Sequence, residues 1–186
     1  MKENKRTKYY IIVLLLVLVM GIGYAAIQST LNINGTAMIK ISGWNVHFEN
    51  LHVTDGSVAI NTTAGDVAAA IEDTNKTSVD YVVTLEKPGD FYEFTVEAVN
   101  GGTMDAKISS VVSKMNNAVI TTLPTYLEYS VTNQDGTPIE VDHALNSGNR
   151  ETYKVRVAYS QDLNPGDLPT TPSSYVFNFA ITYIQK

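Results

Sequence analysis

The chain has 186 residues, of which 44% are hydrophobic, so it is long enough for one domain with a substantial core. Its formal net charge is −6 at pH 7, which disfavours binding to nucleic acid because phosphates require clustered basic side chains. The absence of cysteine excludes a disulfide framework, thiolate catalysis and lipid attachment through an N-terminal cysteine.

The first residues have the order of a secretory signal. Lys2, Lys5, Arg6 and Lys8 precede a continuous apolar run from Ile11 to Met20, and small residues follow that run. A basic lead, an apolar core and a small-residue tail are typical of a signal peptide. The pattern predicts an N-terminal hydrophobic helix, either a signal or an anchor, whose basic end stays in the cytoplasm while the rest of the chain is exported.

The small-residue tail predicts a cleavage site. A cut after Ala25 would place Gly23 and Ala25 in the small pockets of a signal peptidase and make Ala26 the first mature residue. A retained membrane anchor is the alternative, because residues 9–27 are uncharged and about twenty residues suffice to cross the hydrocarbon core. We favour cleavage because the apolar run is short. The predicted regions are therefore a signal or anchor at 1–25, a mature N-terminal strand at 26–35 and a domain at 36–186.

The exported part is predicted to be more acidic than the whole chain. Residues 26–186 carry 9 basic and 18 acidic side chains. This balance disfavours docking of the folded part on anionic lipid as well as on nucleic acid. We therefore expect membrane contact only through residues 9–27, before cleavage, and no nucleic-acid partner.

The segment after the small residues has the alternation of a half-buried strand. Ile27, Leu31 and Ile33 fall on one parity, and polar residues occupy the other: Gln28, Thr30, Asn32 and Asn34. Cleavage would make this strand the free N-terminus of the mature protein. It could then pair with its own sheet or donate itself to the sheet of a neighbouring molecule.

A change of parity further along predicts a β-bulge. Apolar residues are even-numbered within 44–48, whereas Leu51 and Val53 are odd-numbered. One extra residue in a strand produces such a shift, which places the bulge near Glu49 and Asn50.

The remaining sequence alternates between period-two runs and turn residues. Turns are predicted at 87–90 and 100–102, where Pro and Gly or Asn and Gly interrupt the alternation, and residues 62–77 receive no assignment. Strands are predicted at 36–42, 44–53, 79–85, 94–98, 106–111, 126–131, 139–141, 153–159 and 175–183. Many short strands with regular turn signals predict an all-β fold, an antiparallel β-sandwich of jelly-roll-like or Ig-like type.

Several segments resemble the TasA and camelysin type of exported protein from Gram-positive bacteria. The matching pieces are GYAA at Gly23–Ala26, LNING at Leu31–Gly35, LEKPGDFYEFTVEAVNGG at Leu85–Gly102 and NSGNRETYKVRV at Asn146–Val157. The resemblance implies a signal peptide cut by a dedicated SipW-type signal peptidase. It also implies self-association into extracellular fibres of the biofilm matrix.

In such fibres the mature N-terminal segment of one subunit completes the sheet of the next. Ile27, Leu31 and Ile33 are the donor-strand residues that this implies here. Main-chain hydrogen bonds would supply affinity and the alternate side chains would fill pockets. A head-to-tail contact of this kind does not close, so it grows a filament.

The camelysin branch also implies a different activity, because that branch is classed with metallopeptidases. His47, Glu49 and His52 cluster as HFENLH. A zinc peptidase of the H-E-x-x-H type needs its two histidines on one face of a helix. This stretch has another spacing and reads as a strand, where residues 47 and 52 have opposite parity unless the bulge realigns them. We therefore assign no catalytic residue, metal ligand or cofactor.

The sequence as a whole favours a secreted, non-catalytic structural subunit located outside the cell or on its surface. A secreted metalloendopeptidase is the first alternative. A membrane-anchored binding module, with residues 9–27 retained, is the second.

Overall fold

The computed structural model describes residues 5–27, 43–169 and 175–186. The chain divides into two compact units, residues 1–40 and residues 41–186. The first unit contains helix α1, Lys5–Ile27. The side chains of residues 9–18 in this helix are between 57% and 76% exposed, so the helix carries an extended apolar surface in contact with solvent.

Within the described ranges, no helix is both long enough and apolar enough to cross a membrane.

The second unit is an all-β domain. Its strands have the following bounds: β1 Val46–Val53, β2 Val67–Ile71, β3 Ser78–Val83, β4 Phe91–Asn100, β5 Ala106–Met115, β6 Ala118–Val119, β7 Leu127–Asn133, β8 Ala144–Leu145, β9 Arg150–Tyr159 and β10 Tyr175–Gln185. One sheet has the order β1-β4-β9-β7. The other has the order β2-β3-β10-β5-β6, and β8 pairs with β5. All of these pairings are antiparallel, which confirms the predicted all-β class.

The two sheets share one hydrophobic core. Strand β4 illustrates why these residues form a strand, because its side chains are alternately half-buried and buried along all ten positions. Across the core, Tyr81 of β3 meets Phe94 of β4 edge to face at 5.1 Å between ring centroids. Within its own sheet, Tyr81 stacks on Phe177 of β10 at 5.3 Å. Phe48 of β1 stacks on Phe179 of β10 at 5.8 Å. Ring contacts therefore join strands of both sheets.

The predicted bulge is confirmed in β1. Glu49 lies opposite Glu97 of β4 and the next paired residue is His52, opposite Thr95, so the register shifts between them. Asn50 adopts the left-handed conformation, with φ of 53°. Asparagine tolerates this conformation better than most residues, which explains the residue type at the bulge.

The turn predicted at 87–90 is also confirmed. Asp90 accepts hydrogen bonds from the backbone N–H groups of Glu86 and Lys87 at 2.9 and 3.0 Å. Gly89 has a φ of 93°, and a β-carbon at that position would lie 2.8 Å from Nε2 of Gln161. Its positive φ favours glycine at this position, whereas the end of the flexible Gln161 side chain could move aside.

The structure differs from the sequence predictions at several points. Residues 139–141 do not form a strand, because Pro138 has no N–H for a ladder and makes only an isolated bridge to Thr132. The chain then turns at Asp142, whose φ is 68°, and β8 follows instead. Strand β2 lies in the region that received no assignment. Strand β3 ends at Val83, two residues before the predicted end. The strand predicted at 36–42 lies outside the described residues.

The shared core makes a direct prediction about stability. Phe94 is fully buried between the sheets, so Phe94→Ala should lower the free energy of unfolding by about 3–5 kcal/mol. Phe91→Ala is the matched control, because Phe91 is only half-buried and packs under the Arg156 guanidinium at 3.9 Å. Phe91→Ala should lower the free energy of unfolding by only about 1 kcal/mol. Urea denaturation measures both values, and equal losses would contradict the assignment of Phe94 to the core.

Candidate functional site

The predicted cleavage residues and the first donor residue lie at the end of α1. Gly23, Ala25 and Ala26 belong to its last turns, and Ile27 is its final residue rather than part of a strand. The other two predicted donor residues, Leu31 and Ile33, lie outside the described residues. For strand donation, the relevant features of the described domain are therefore the sheet edges that could receive a strand.

Strand β7 has an open backbone edge. The Ser160 N–H donates to the Tyr126 carbonyl and the Gln134 N–H donates to the Thr152 carbonyl, so the even-numbered positions of β7 face β9. The odd-numbered positions direct their backbone groups away from β9. Asn133 uses its outward N–H to donate to Thr137 at 2.8 Å, in the turn after the strand. In the described part of the chain, no strand pairs with the outer edge at residues 127–131.

Strand β5 has a second open edge, in the other sheet. It pairs with β10 along its whole length, but its outer edge has strand partners only at the two ends. Strand β8 covers Ala106 and Lys107, and β6 covers Lys114 and Met115. Among the residues that the structure places, residues 109–112 have no strand beside their outer edge. We call this segment and the outer edge of β7 at 127–131 the open edges.

Apolar side chains lie next to the open edges. They are half-buried and pack against the core: Val111, Met115, Tyr129, Val131 and Ile139. Tyr129 stacks on Phe177 at 5.6 Å between ring centroids. Burial raises the pKa of Tyr129. An extended segment placed at either open edge would gain both backbone partners and apolar contact.

The residues of the metallopeptidase alternative lie on β1. The bulge realigns them, because His47, Glu49 and His52 pair with Val99, Glu97 and Thr95, all of which alternate with the buried residues of β4. The three side chains thus share the outer face of the sheet, a condition that the sequence had left open.

Sharing a face does not bring these three side chains to one metal. His47 Nε2 lies 3.6 Å from Glu49 Oε2, and the Arg150 guanidinium lies 3.4 Å from the other oxygen of that carboxylate. His143 is engaged elsewhere, with its Nε2 at 2.6 Å from Glu151 Oε1. No group of three ligating side chains in the described residues is arranged to hold a metal ion.

The same outer face contains a charge cluster that sequence reasoning missed. Asn50 Nδ2 donates to Glu97 Oε2 at 3.0 Å, and Arg150 Nη1 donates to the same oxygen at 2.8 Å. The Asn50 hydrogen bond, followed by that of Arg150, lowers the pKa of Glu97. The bulge residue Asn50 thus lowers the pKa of a carboxylate on the neighbouring strand. In the sequence, the signal for this charge cluster was Asn50, an asparagine at the point where the parity of the apolar residues changes.

We predict that Asn50→Gly raises the pKa of Glu97, because glycine keeps the positive φ and removes only the amide donor. Asn117→Gly is the matched control, since Asn117 also has a positive φ, of 65°, in the turn between β5 and β6. Carboxyl-detected NMR titration measures the pKa. An unchanged value in Asn50→Gly would contradict the proposed cause.

This shift also sets the direction of a pH effect. A carboxyl whose pKa is lowered by folding stabilises the fold above its unfolded pKa, near 4.5, and loses that contribution as the pH falls through the folded value. Asn50→Gly should therefore reduce stability above pH 4.5 and make little difference at a pH below the lowered value.

Comparisons with protein-family models, with curated proteins and with solved structures found no match for this chain. What the chain does must therefore be argued from its own residues and geometry.

Proposed function

We propose that this chain is an exported, non-catalytic structural subunit of extracellular fibres, related to the TasA and camelysin type. In this proposal each subunit donates its mature N-terminal strand to the next one. The observation that carries the proposal is the pair of open edges, on β7 and β5, with half-buried apolar side chains beside them.

The proposed domain is a β-sandwich of jelly-roll-like or Ig-like type. Two antiparallel sheets with a common core support this, as does the aromatic contact between Tyr81 of one sheet and Phe94 of the other. Unlike a closed barrel, a sandwich leaves strands at the ends of its sheets. An edge that is apolar beside its free backbone groups is suited to receive another strand.

The proposed donor is the segment at 26–35. Its apolar residues Ile27, Leu31 and Ile33 would cover the side chains beside the open edges, and its polar residues would face solvent. Donation to a second copy is a heterologous contact, which repeats without closing and so forms a filament. The acidic charge of the exported part suppresses other, non-specific association.

Residues 1–25 would act as the export signal. The exposed apolar side chains at 9–18 of α1 are suited to a membrane interior during export, and a signal peptidase would cut after Ala25. The mature chain would then lie outside the cell or on its surface.

One observation favours a second candidate, a membrane-anchored surface module. Helix α1 continues through Gly23, Ala25 and Ala26 to Ile27, so the predicted cut lies within regular helix. Mass spectrometry of the N-terminus in cells separates the two: a chain starting at Ala26 supports the fibre subunit, and an intact N-terminus in membranes supports the anchor.

Strand donation predicts that substitutions at neighbouring positions of the donor segment have different effects on filament formation. Leu31→Glu should abolish filaments, because it places a charge on the face that would enter the apolar edge. Asn32→Glu is the matched control and should leave filaments intact, because it lies on the opposite parity. Electron microscopy of the two purified exported chains measures the outcome. Equal filament formation by both variants would contradict the proposal.

A deletion tests whether the segment at 26–35 pairs with a neighbouring subunit or with its own sheet. Removing residues 27–33 should leave a monomer with the circular dichroism and the unfolding transition of a folded domain. Loss of the folded state would mean that the segment belongs to its own sheet, and strand donation would then be wrong.

A further inference from the structure

The domain has a cleft that is lined by residues other than those of the open edges. It has a volume of about 420 Å³ and is lined by residues 44–47 at the start of β1, by residues 74–77 before β3, and by Thr182 and Tyr183 near the end of β10. Sites for small ligands commonly have volumes of about 300–1,000 Å³. The cleft is therefore large enough to hold one or two small rings of a ligand.

The loop that forms one wall is held by both sheets. The Phe48 N–H of β1 donates to the Lys76 carbonyl at 2.6 Å, and the Ile181 N–H of β10 donates to the Thr77 carbonyl at 3.0 Å. The Asn75 side chain accepts from the N–H and the hydroxyl of Thr77, at 3.3 and 2.9 Å. This wall is fixed before any ligand arrives, which lowers the entropic cost of binding.

The opposite wall is held by a close backbone contact. The Gly101 N–H donates to the Asn45 carbonyl at 2.9 Å, and the Thr103 N–H donates to the Gly43 carbonyl at 2.9 Å. A β-carbon at Gly102 would lie 2.4 Å from the Gly43 carbonyl oxygen, so only glycine permits this approach. The backbone on both sides of Trp44 is thereby fixed.

The lining combines an aromatic ring, Trp44, with hydrogen-bonding side chains, most of which are neutral. The side chain of Trp44 is 44% exposed although the neighbouring backbone is fixed. The Asn45 amide and the hydroxyls of Thr74 and Thr182 make no hydrogen bond to other described residues. Lys76 adds a donor, and no carboxylate lines the cleft.

We propose that this cleft binds a pyranose ring of an uncharged polysaccharide. A pyranose has an apolar C–H face that fits an aromatic ring and hydroxyls around its edge that require donors and acceptors, and the lining supplies both an exposed indole and such polar groups. An uncharged polysaccharide fits a protein of net charge −6 better than an acidic polysaccharide does, because like charges repel. The site is formed by other residues than the open edges, although its Thr182 and Tyr183 pair with Ser110 and Ile108 of β5.

The test uses Trp44 as its own reporter, because it is the only tryptophan in the sequence. The full-length chain, in a detergent without a sugar headgroup, is titrated with glucose and N-acetylglucosamine hexamers, both β-1,4-linked, and with a galacturonate hexamer. We expect a saturable change of tryptophan fluorescence with at least one uncharged hexamer. Failure of both uncharged hexamers to saturate the signal would overturn the proposal.

Variants separate stacking on Trp44 from non-specific binding. Trp44→Ala, followed by calorimetry, should weaken binding roughly tenfold, and Thr74→Ala should weaken it by a smaller factor. Lys87→Ala is the control, because Lys87 lies beyond the opposite end of β3 from the cleft. Circular dichroism checks that each variant is folded.

Two results would contradict the proposed binding mode. One is equal affinity in Trp44→Ala, Thr74→Ala and Lys87→Ala. The other is binding of the galacturonate hexamer alone that disappears with added salt, because that pattern would indicate charge attraction to Lys76 rather than ring stacking.

Discussion

The packing of aromatic rings between two sheets is the constraint on which the rest of this domain depends. Tyr81 contacts Phe94 of the opposite sheet and Phe177 of its own sheet, and the three rings belong to different strands. Because side chains alternate along a strand, burying these rings fixes which face of each strand is inward. A slip of one residue would turn the rings to solvent, so the register of the strands follows from the core.

The same constraint explains the features of the outer surface. The bulge in β1 keeps Phe48 and Leu51 on the core side and turns His47, Glu49 and His52 outward together. Charged pairs then form between strands, as between Arg150 and Glu97 at 2.8 Å. These contacts organise a polar face, and their arrangement does not create a metal site in the described residues.

Two proposed roles use different parts of the domain. The open edges of β7 and β5 offer backbone groups and half-buried apolar side chains, which suit an extended segment of a second copy. The cleft beside Trp44 offers an aromatic surface and neutral polar groups, which suit a sugar ring. A fibre subunit with both features would join a protein filament to a polysaccharide matrix through one rigid domain.

The sequence by itself determined the all-β class, the bulge near Glu49 and Asn50 and the turn at Gly89, because each of these follows from local alternation or from one residue's backbone preference. It also predicted a candidate donor segment, but not the edges that could receive it. Only the tertiary structure decided that the outer edges of β7 and β5 have unpaired stretches among the described residues, since strand order depends on pairing between distant segments. The cleft was hidden for the same reason, because Trp44, Thr74 and Thr182 become neighbours only when the sheets pack. The strand expected at 139–141 was wrong because alternation alone does not reveal that Pro138 forms only an isolated bridge and that the chain turns at Asp142.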